Sequence, residues 1–460
     1  MATRHMKLGL NIVANGAHAA GWRMPDARED AATDIGLWQD IARAAERARI
    51  HFMFWADGIA VRHSARDDEE LSFNPRIDVF EPLTVIGALA AVTEHLGFVA
   101  SASTTFNEPY HVARKFASLD YVTRGRVAWN VVTSWSEQEA FNFGRDALLE
   151  HAKRYGRAEE FVDVVFGLWD SWEDNAFIRD KESGHYFDPA KLHTLNHKGE
   201  HLQVKGPLNV ARPLQGYPVI AQAGSSGPGQ DLGARIADII YTQQKTKNDA
   251  IAFYRSVKDH GVTAGRDPST MLVMPGIVPI LGRTRMEAED RWAQLQDLVH
   301  PSVGLPMLAS VFGDLSGHPL DGPVPDPLPQ SNSVKSAYDK LVREARMPGM
   351  TIRKLYQGQA GASGHCVFIG TPAEAADEMQ DWFESGGCDG WNLIPPYLPG
   401  PVHEALETLV PELQRRGLHH TEYEGHTLRD SLGLTRPAFR SRGRIKPATR
   451  PTPSPETQPA

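Results

Sequence analysis

The chain reads as a single (β/α)8 TIM barrel with insertions, covering about residues 7–437. Three observations predict it. Eight short runs rich in Val, Ile, Phe and Trp alternate with amphipathic segments, the pattern of buried parallel strands joined by crossover helices. The turn after the first run, Asn15-Gly16-Ala17-His18-Ala19-Ala20-Gly21, lacks the GxGxxG spacing with which a doubly wound nucleotide fold announces itself. The residues that end the runs are small or polar, as expected at the mouth of a barrel, where ligands and reacting groups gather.

In chain order, the expected strands are Lys7–Val13, Phe52–Ala56, Phe98–Ser103, Val127–Val132, Val219–Ala223, Asp238–Thr242, Leu272–Leu281 and Gly390–Ile394. Between the first two, Ile35, Trp38, Ile41, Ala42 and Ala45 recur at helical spacing. Glu81 to His95 predicts a helix with Pro82 in its first turn, where its missing N–H costs nothing. Val112–Tyr121, Ala158–Trp169, Asp249–Lys258, Arg285–Leu298, Ala373–Glu384 and Val402–Arg416 follow the same periodicity. Thr371 and Glu374 frame a capping box that starts one of them. The chain exceeds the ~250 residues typical of this fold, so insertions are expected. Residues 170–215 are polar and Gly/Pro-punctuated and suggest a hairpin excursion. Residues 300–332 carry Pro319, Pro323, Pro325, Pro327 and Pro329 and read as a long loop, a candidate lid. Residues 441–460 are Pro/Thr/Arg-rich and read as a disordered tail.

Composition narrows the function. Apolar residues make up 41% and charged residues 23%, enough for a sizeable core, and the net charge is −9 with a pI near 6.1. That balance argues against nucleic acid and against an anionic membrane surface as partner. No run approaches the ~20 apolar residues needed to span a bilayer. Two cysteines, Cys366 and Cys388, without a CxxC, suit a reducing cytoplasm and exclude a cysteine-based zinc site.

The expected strand ends hold the candidate site: Asp57 after the second, Thr104 after the third, Asn130 in the fourth and Ser225-Ser226 after the fifth. Gly224-Ser225-Ser226-Gly227-Pro228-Gly229 runs from a strand into a helix. Glycines permit close backbone approach, and helix-start N–H groups attract anions, so the stretch reads as a monophosphate site. It reads equally as a tight turn with a serine cap. His151 and Tyr155 are four apart and share a helix face that could hold a phosphate or a ribityl chain, or simply pack. His18, near the end of the first strand, is the weak catalytic candidate, ahead of His365 and His111; no general base stands out.

Taken together these segments resemble the bacterial-luciferase-like flavin monooxygenases, in the group of the nitrilotriacetate, dibenzothiophene-sulfone and long-chain-alkane enzymes. Six motifs in family order carry the resemblance: Phe54-Trp55-Ala56-Asp57; Ser103-Thr104-Thr105 with Glu108-Pro109-Tyr110; Ala113 to Asp120; Gly125 to Ser134; His151 to Tyr155; and Gln222 to Ser226. The resemblance implies that Asp57, Thr104 and Asn130 contact the flavin ring region, and that His151, Tyr155, Ser225 and Ser226 bind the ribityl-phosphate end. It implies FMN as cofactor, delivered as FMNH2 by a separate NAD(P)H:flavin reductase, with O2 as co-substrate and a flavin C4a-(hydro)peroxide as oxidant. The implied reaction puts one oxygen atom into a small organic substrate (sulfone, aminopolycarboxylate, alkane or similar), and the implied assembly is a homodimer or homotetramer.

Rival readings are weaker. A metal-dependent hydrolase needs convergent ligands, whereas His193/His197 and His419/His420 fall away from strand ends and read as loop residues, so no metal is expected. A glycosidase needs two facing carboxylates, and only Asp57 ends a strand. The main alternative is an F420-dependent hydride-transfer oxidoreductase on the same barrel. A flavin carrier without catalysis is the non-enzymatic reading.

Overall fold

Strands buried on both faces set the architecture. In the computed structural model, which describes residues 4–13, 15–61, 68–328, 335–361 and 364–440, eight parallel strands close into a ring. They are β1 (Lys7–Ile12), β2 (Phe52–Trp55), β3 (Gly97–Ser103), β4 (Val127–Val132), β5 (Val219–Gln222), β6 (Ile239–Thr242), β7 (Leu272–Leu281) and β8 (Gly390–Leu393). Each pairs with its neighbour in chain order; β7 pairs with both β6 and β8, and β1 with β8. Every strand lies within about a residue of its expected bounds.

Side chains alternate across the wall. Phe52, Phe54, Val99, Ala128, Val219, Ala221, Ile239, Tyr241, Leu272 and Met274 fill the bore. Leu10, Met53, Phe98, Trp129, Ile220 and Trp391 face the helices. The lower end of the bore is plugged by Leu428, Leu432 and Leu434, from the short helix Leu428–Leu432 and the turn after it. That leaves the carboxyl ends of the strands as the open mouth.

The helices also form where periodicity placed them, with ends set by capping. Asp34 caps Ile35–Arg47, and Thr371 with Glu374 closes the expected capping box on Pro372–Glu384. His151–Trp169 begins seven residues before the periodic stretch that announced it, bringing His151 and Tyr155 into one helix.

Several elements went unread in the sequence. Cys366–Gly370 is a ninth strand that extends the sheet beside the second half of β7. Residues 300–332, expected as a loop, instead begin with the helix Pro301–Phe312; residues 329–332 lie outside the described ones. Helices Lys335–Ala345 and Ile352–Ala360 follow. Leu308, Leu315, Val324, Leu341, Ile352, Leu355 and Tyr356 form a second apolar cluster that packs on Ala19 and Ala20, beside His18. Residues 170–215 carry a small antiparallel hairpin, His197–Lys198 with Gln203–Val204. The expected disordered tail, residues 441–460, lies outside the described residues.

Candidate active site

The residues expected at a phosphate end lie on two elements that the sequence separates by about seventy residues, and the fold brings them together. Ser226 is the N-cap of the helix Gly227–Ile236, its hydroxyl accepting from Gly229 N at 3.3 Å. Ser225 is exposed beside it. Gly224 and Gly229 approach so closely that a Cβ on Gly224 would stand 2.8 Å from the Gly229 Cα. The Tyr155 hydroxyl lies 3.1 Å from that Gly224 Cβ position and 3.0 Å from the one at Gly229. The turn and the helix therefore meet at Tyr155. His151 packs against Tyr155 with ring centroids 4.8 Å apart and stays exposed at the helix start.

Arg154, between them, was not singled out in the sequence. It is buried, and its Nε and Nη1 have no hydrogen-bond partner. Burial lowers its pKa, and Tyr155 and Glu139 raise it. A buried guanidinium with unused donors is costly unless an anion meets it. Helix-start N–H groups and the Tyr155 hydroxyl make a donor set suited to a phosphate dianion.

The residues expected at a ring end lie on β2 to β4 and just past them. Asn130 Nδ2 donates to Ser101 Oγ at 2.8 Å, and Ser101 Oγ donates to Trp55 O at 2.8 Å. Asn130 is 3% exposed and its Oδ1 has no partner, so a fixed acceptor faces the bore. Thr104 is buried and its hydroxyl donates to Val132 O at 3.2 Å, so its group is already engaged by the main chain. Ser134, at φ 59°, turns the chain at the end of β4, and its hydroxyl pairs with Ser103 Oγ at 2.8 Å. Asp57 sits partly buried just past β2.

His18 is brought to the mouth but not as a base. Its Nδ1 accepts from Ala20 N at 3.2 Å, so the proton sits on Nε2, which has no partner. Burial, then the Arg76 charge, lowers its pKa to about 4. It stands edge-on to Trp292 at 5.6 Å as a neutral donor. Arg76, also unread in the sequence, donates to Ala17 O and has an unpartnered Nε.

His419 and His420 are loop residues, as expected, but buried ones. With His51 they form a buried cluster whose nitrogens lie within 4.8 Å of one another, below β1 at the closed end of the barrel. Each ring is tied to the main chain, though His51 does so as an acceptor and its Nε2 has no partner. His51 Nδ1 accepts from Leu8 N at 3.1 Å, and His419 Nε2 and His420 Nε2 both meet Arg49 O, at 3.0 and 2.9 Å. His51 packs flat on His420 at 4.4 Å.

Residues 18–389 match the luciferase-like monooxygenase family. The chain belongs to it. This flavin-dependent monooxygenase is 47% identical to N-acetyl-S-(2-succino)cysteine monooxygenase of Bacillus subtilis (strain 168), over 95% of this chain and 98% of that one. It is 47% identical to nitrilotriacetate monooxygenase component A of Aminobacter aminovorans, again over 95% and 98%. Among solved structures, a riboflavin lyase with modified FMN and substrate riboflavin matches at TM-score 0.81 and 30% identity, covering 95% of this chain and 97% of that one. The F420-dependent tetrahydromethanopterin reductase of Methanopyrus kandleri matches at TM-score 0.55 and 10% identity, covering 88% and 99%, which shows the fold alone. The hydride-transfer alternative is thus only distantly related. No described helix is long and apolar enough to cross a membrane.

Proposed function

We propose that this monooxygenase is the oxygenase component of a two-component system. It takes FMNH2 from a separate NAD(P)H:flavin reductase, uses O2, and puts one oxygen atom into a small organic substrate; it works as a homodimer or homotetramer in the cytoplasm. The observation that carries the reading is the junction at Tyr155. There, two glycines and a serine-capped helix start meet the Tyr155 hydroxyl, and Arg154, next to Tyr155 in the chain, has two buried nitrogens without hydrogen-bond partners. "Component A" in one relative's name supports a partner protein.

In this reading His151, Tyr155, Arg154, Ser225 and Ser226 hold the phosphate end, while Asp57, Thr104 and Asn130 border the ring. Reduced flavin supplies the activation of O2. The residues of the chain supply binding, orientation and dryness. Asn130 Oδ1 is a buried acceptor for a ring N–H, and Phe54 keeps the bore beneath it apolar. His18 Nε2 offers a proton-bearing donor at the rim without taking protons itself. In this reading the helical part of segment 300–332, which packs on Ala19 and Ala20, serves as the lid that keeps water from the reacting centre.

Anaerobic titration with FMNH2, read by fluorescence and followed by rapid mixing with aerated buffer, tests this. Tight binding of FMNH2, with reoxidation slower than for free FMNH2, is expected. Absence of FMNH2 binding would sink the reading.

A further inference from the structure

One layer beneath the strand ends, the bore carries a polar cluster that flavin binding leaves unused. Asn11 of β1 and Tyr241 of β6 face each other, and Asn11 Nδ2 donates to the Tyr241 hydroxyl at 2.5 Å. That hydroxyl meets His365 Nε2 at 3.0 Å. His365 enters beside β7 at Gly276, where an added Cβ would stand 2.4 Å from His365 Nδ1; glycine is what leaves room for the ring. The three side chains are 1%, 8% and 8% exposed, yet Asn11 Oδ1 and His365 Nδ1 have no partner.

Counting protons defines what the cluster wants. A hydroxyl has one hydrogen. With Asn11 donating to it, that hydrogen goes to His365 Nε2, and His365 then carries its own proton on Nδ1. The loose ends are one acceptor, Asn11 Oδ1, and one donor, His365 Nδ1–H. Turning the Asn11 amide over reverses every bond in the chain and again leaves one donor and one acceptor. Burial alone lowers the His365 pKa to about 4, so the ring is neutral. Burial raises the Tyr241 hydroxyl well above its ordinary value, and no charged group acts on it. A carboxylate here would lose its water with no counter-charge in reach. A neutral group with one acceptor and one donor satisfies both ends.

We propose that Asn11, Tyr241 and His365 are the substrate-recognition subsite of this chain, and that they receive an uncharged amide group of the substrate. The proposal rests on the mouth above them being the oxygenation site. It goes further in naming the functional group that the substrate must carry.

Benzamide, methyl benzoate and benzoate, which share one shape, are the probes. Each is titrated into the protein loaded with oxidised FMN and followed by ligand-observed NMR. Benzamide is expected to bind about tenfold more tightly than methyl benzoate, the effect of one buried donor or acceptor left unpaired. Tyr241→Phe and Asn11→Leu should each bring the three affinities within about twofold, while FMN affinity, read by flavin fluorescence, holds. Gly276→Ala displaces the His365 ring without touching Asn11 or Tyr241 and should have the same effect. Equal binding of benzamide and methyl benzoate to the wild type overturns the proposal, and so does a preference that survives these variants. Tighter binding of benzoate also overturns it, because recognition would then belong to a cation such as Arg76. Failure of FMN to bind at all would count against the flavin reading instead; the same three probes on the flavin-free protein would still decide the subsite.

Discussion

Arg154 shows how a single side chain separates binding from stability. In the free protein its Nε and Nη1 are buried without partners, a cost that folding must offset. With a phosphate in place the same atoms become charge-assisted donors. Arg154→Met should therefore weaken FMN binding by about tenfold, as expected for losing a hydrogen bond to a charged group, while leaving the urea midpoint of the flavin-free protein unchanged or higher. Paired flavin-fluorescence and urea titrations check this. A variant that unfolds earlier yet binds FMN normally would make Arg154 a packing residue. At this scale the sequence pointed to Tyr155, Ser226 and Asn130 by residue type and position. It did not point to Arg154 or Arg76, because a cation reads as a solvated surface group until its burial is known. His18 was legible as a mouth residue, but its role was not. The hydrogen bond from Ala20 N that fixes its tautomer belongs to the folded turn.

At the scale of elements, strand runs and helix periodicity carried most of the information, and side-chain tethers set the ends. Arg126, at the entry to β4, donates five hydrogen bonds, to Thr123 O, Thr93 Oγ1, Leu96 O, Ala90 O and Thr93 O. It thereby satisfies carbonyls at the end of the helix Pro82–Ala90 and ties that helix to β3 and β4. Arg126→Met keeps the stem and removes every donor. It should cost about 2–4 kcal/mol, since several buried acceptors lose their partners together. Urea unfolding measures this, and a loss under about 0.5 kcal/mol would mean that the carbonyls find water instead. The element that sequence reading lost is the helix Pro301–Phe312. Pro306 inside it, and the proline-rich stretch that follows, signal a loop. Packing of Leu308 with Ile352, Leu355 and Tyr356 outweighs that local preference.

For the whole molecule, buried histidines should govern the response to acid. Burial lowers the pKa of His18 and His365 to about 4 and that of His419 to about 3, and His51 and His420 are lowered as well. These folded-state values lie below the ~6.5 of an unfolded chain. As pH falls through 6.5 the unfolded chain takes up protons that the folded one refuses. The stability held above pH 6.5 is then lost progressively towards pH 4. Asp120, pushed up to about 6 by burial, works in the opposite sense and offsets part of the loss. Carboxylates such as Glu412, held down to about 2 by Arg415 and Arg416, come into play only at lower pH. Urea midpoints should therefore fall steeply between pH 7 and 5, with His51→Gln reducing the slope. A flat profile in that window would mean that the cluster opens to solvent.

By itself the sequence determined the barrel, the order of its strands, the open end and the family. Each of these follows from period, spacing and short motifs that are local in the chain. Tertiary structure alone decided which groups lack partners: Arg154 on the helix that meets the serine-capped turn, and Asn11 and His365, which Tyr241 joins, the three coming from distant segments. The reason is physical. Hydrogen bonding inside a protein is a matter of full accounting. Whether a donor or acceptor is left over depends on every neighbour that the fold brings to it, and most of those neighbours are far away in sequence.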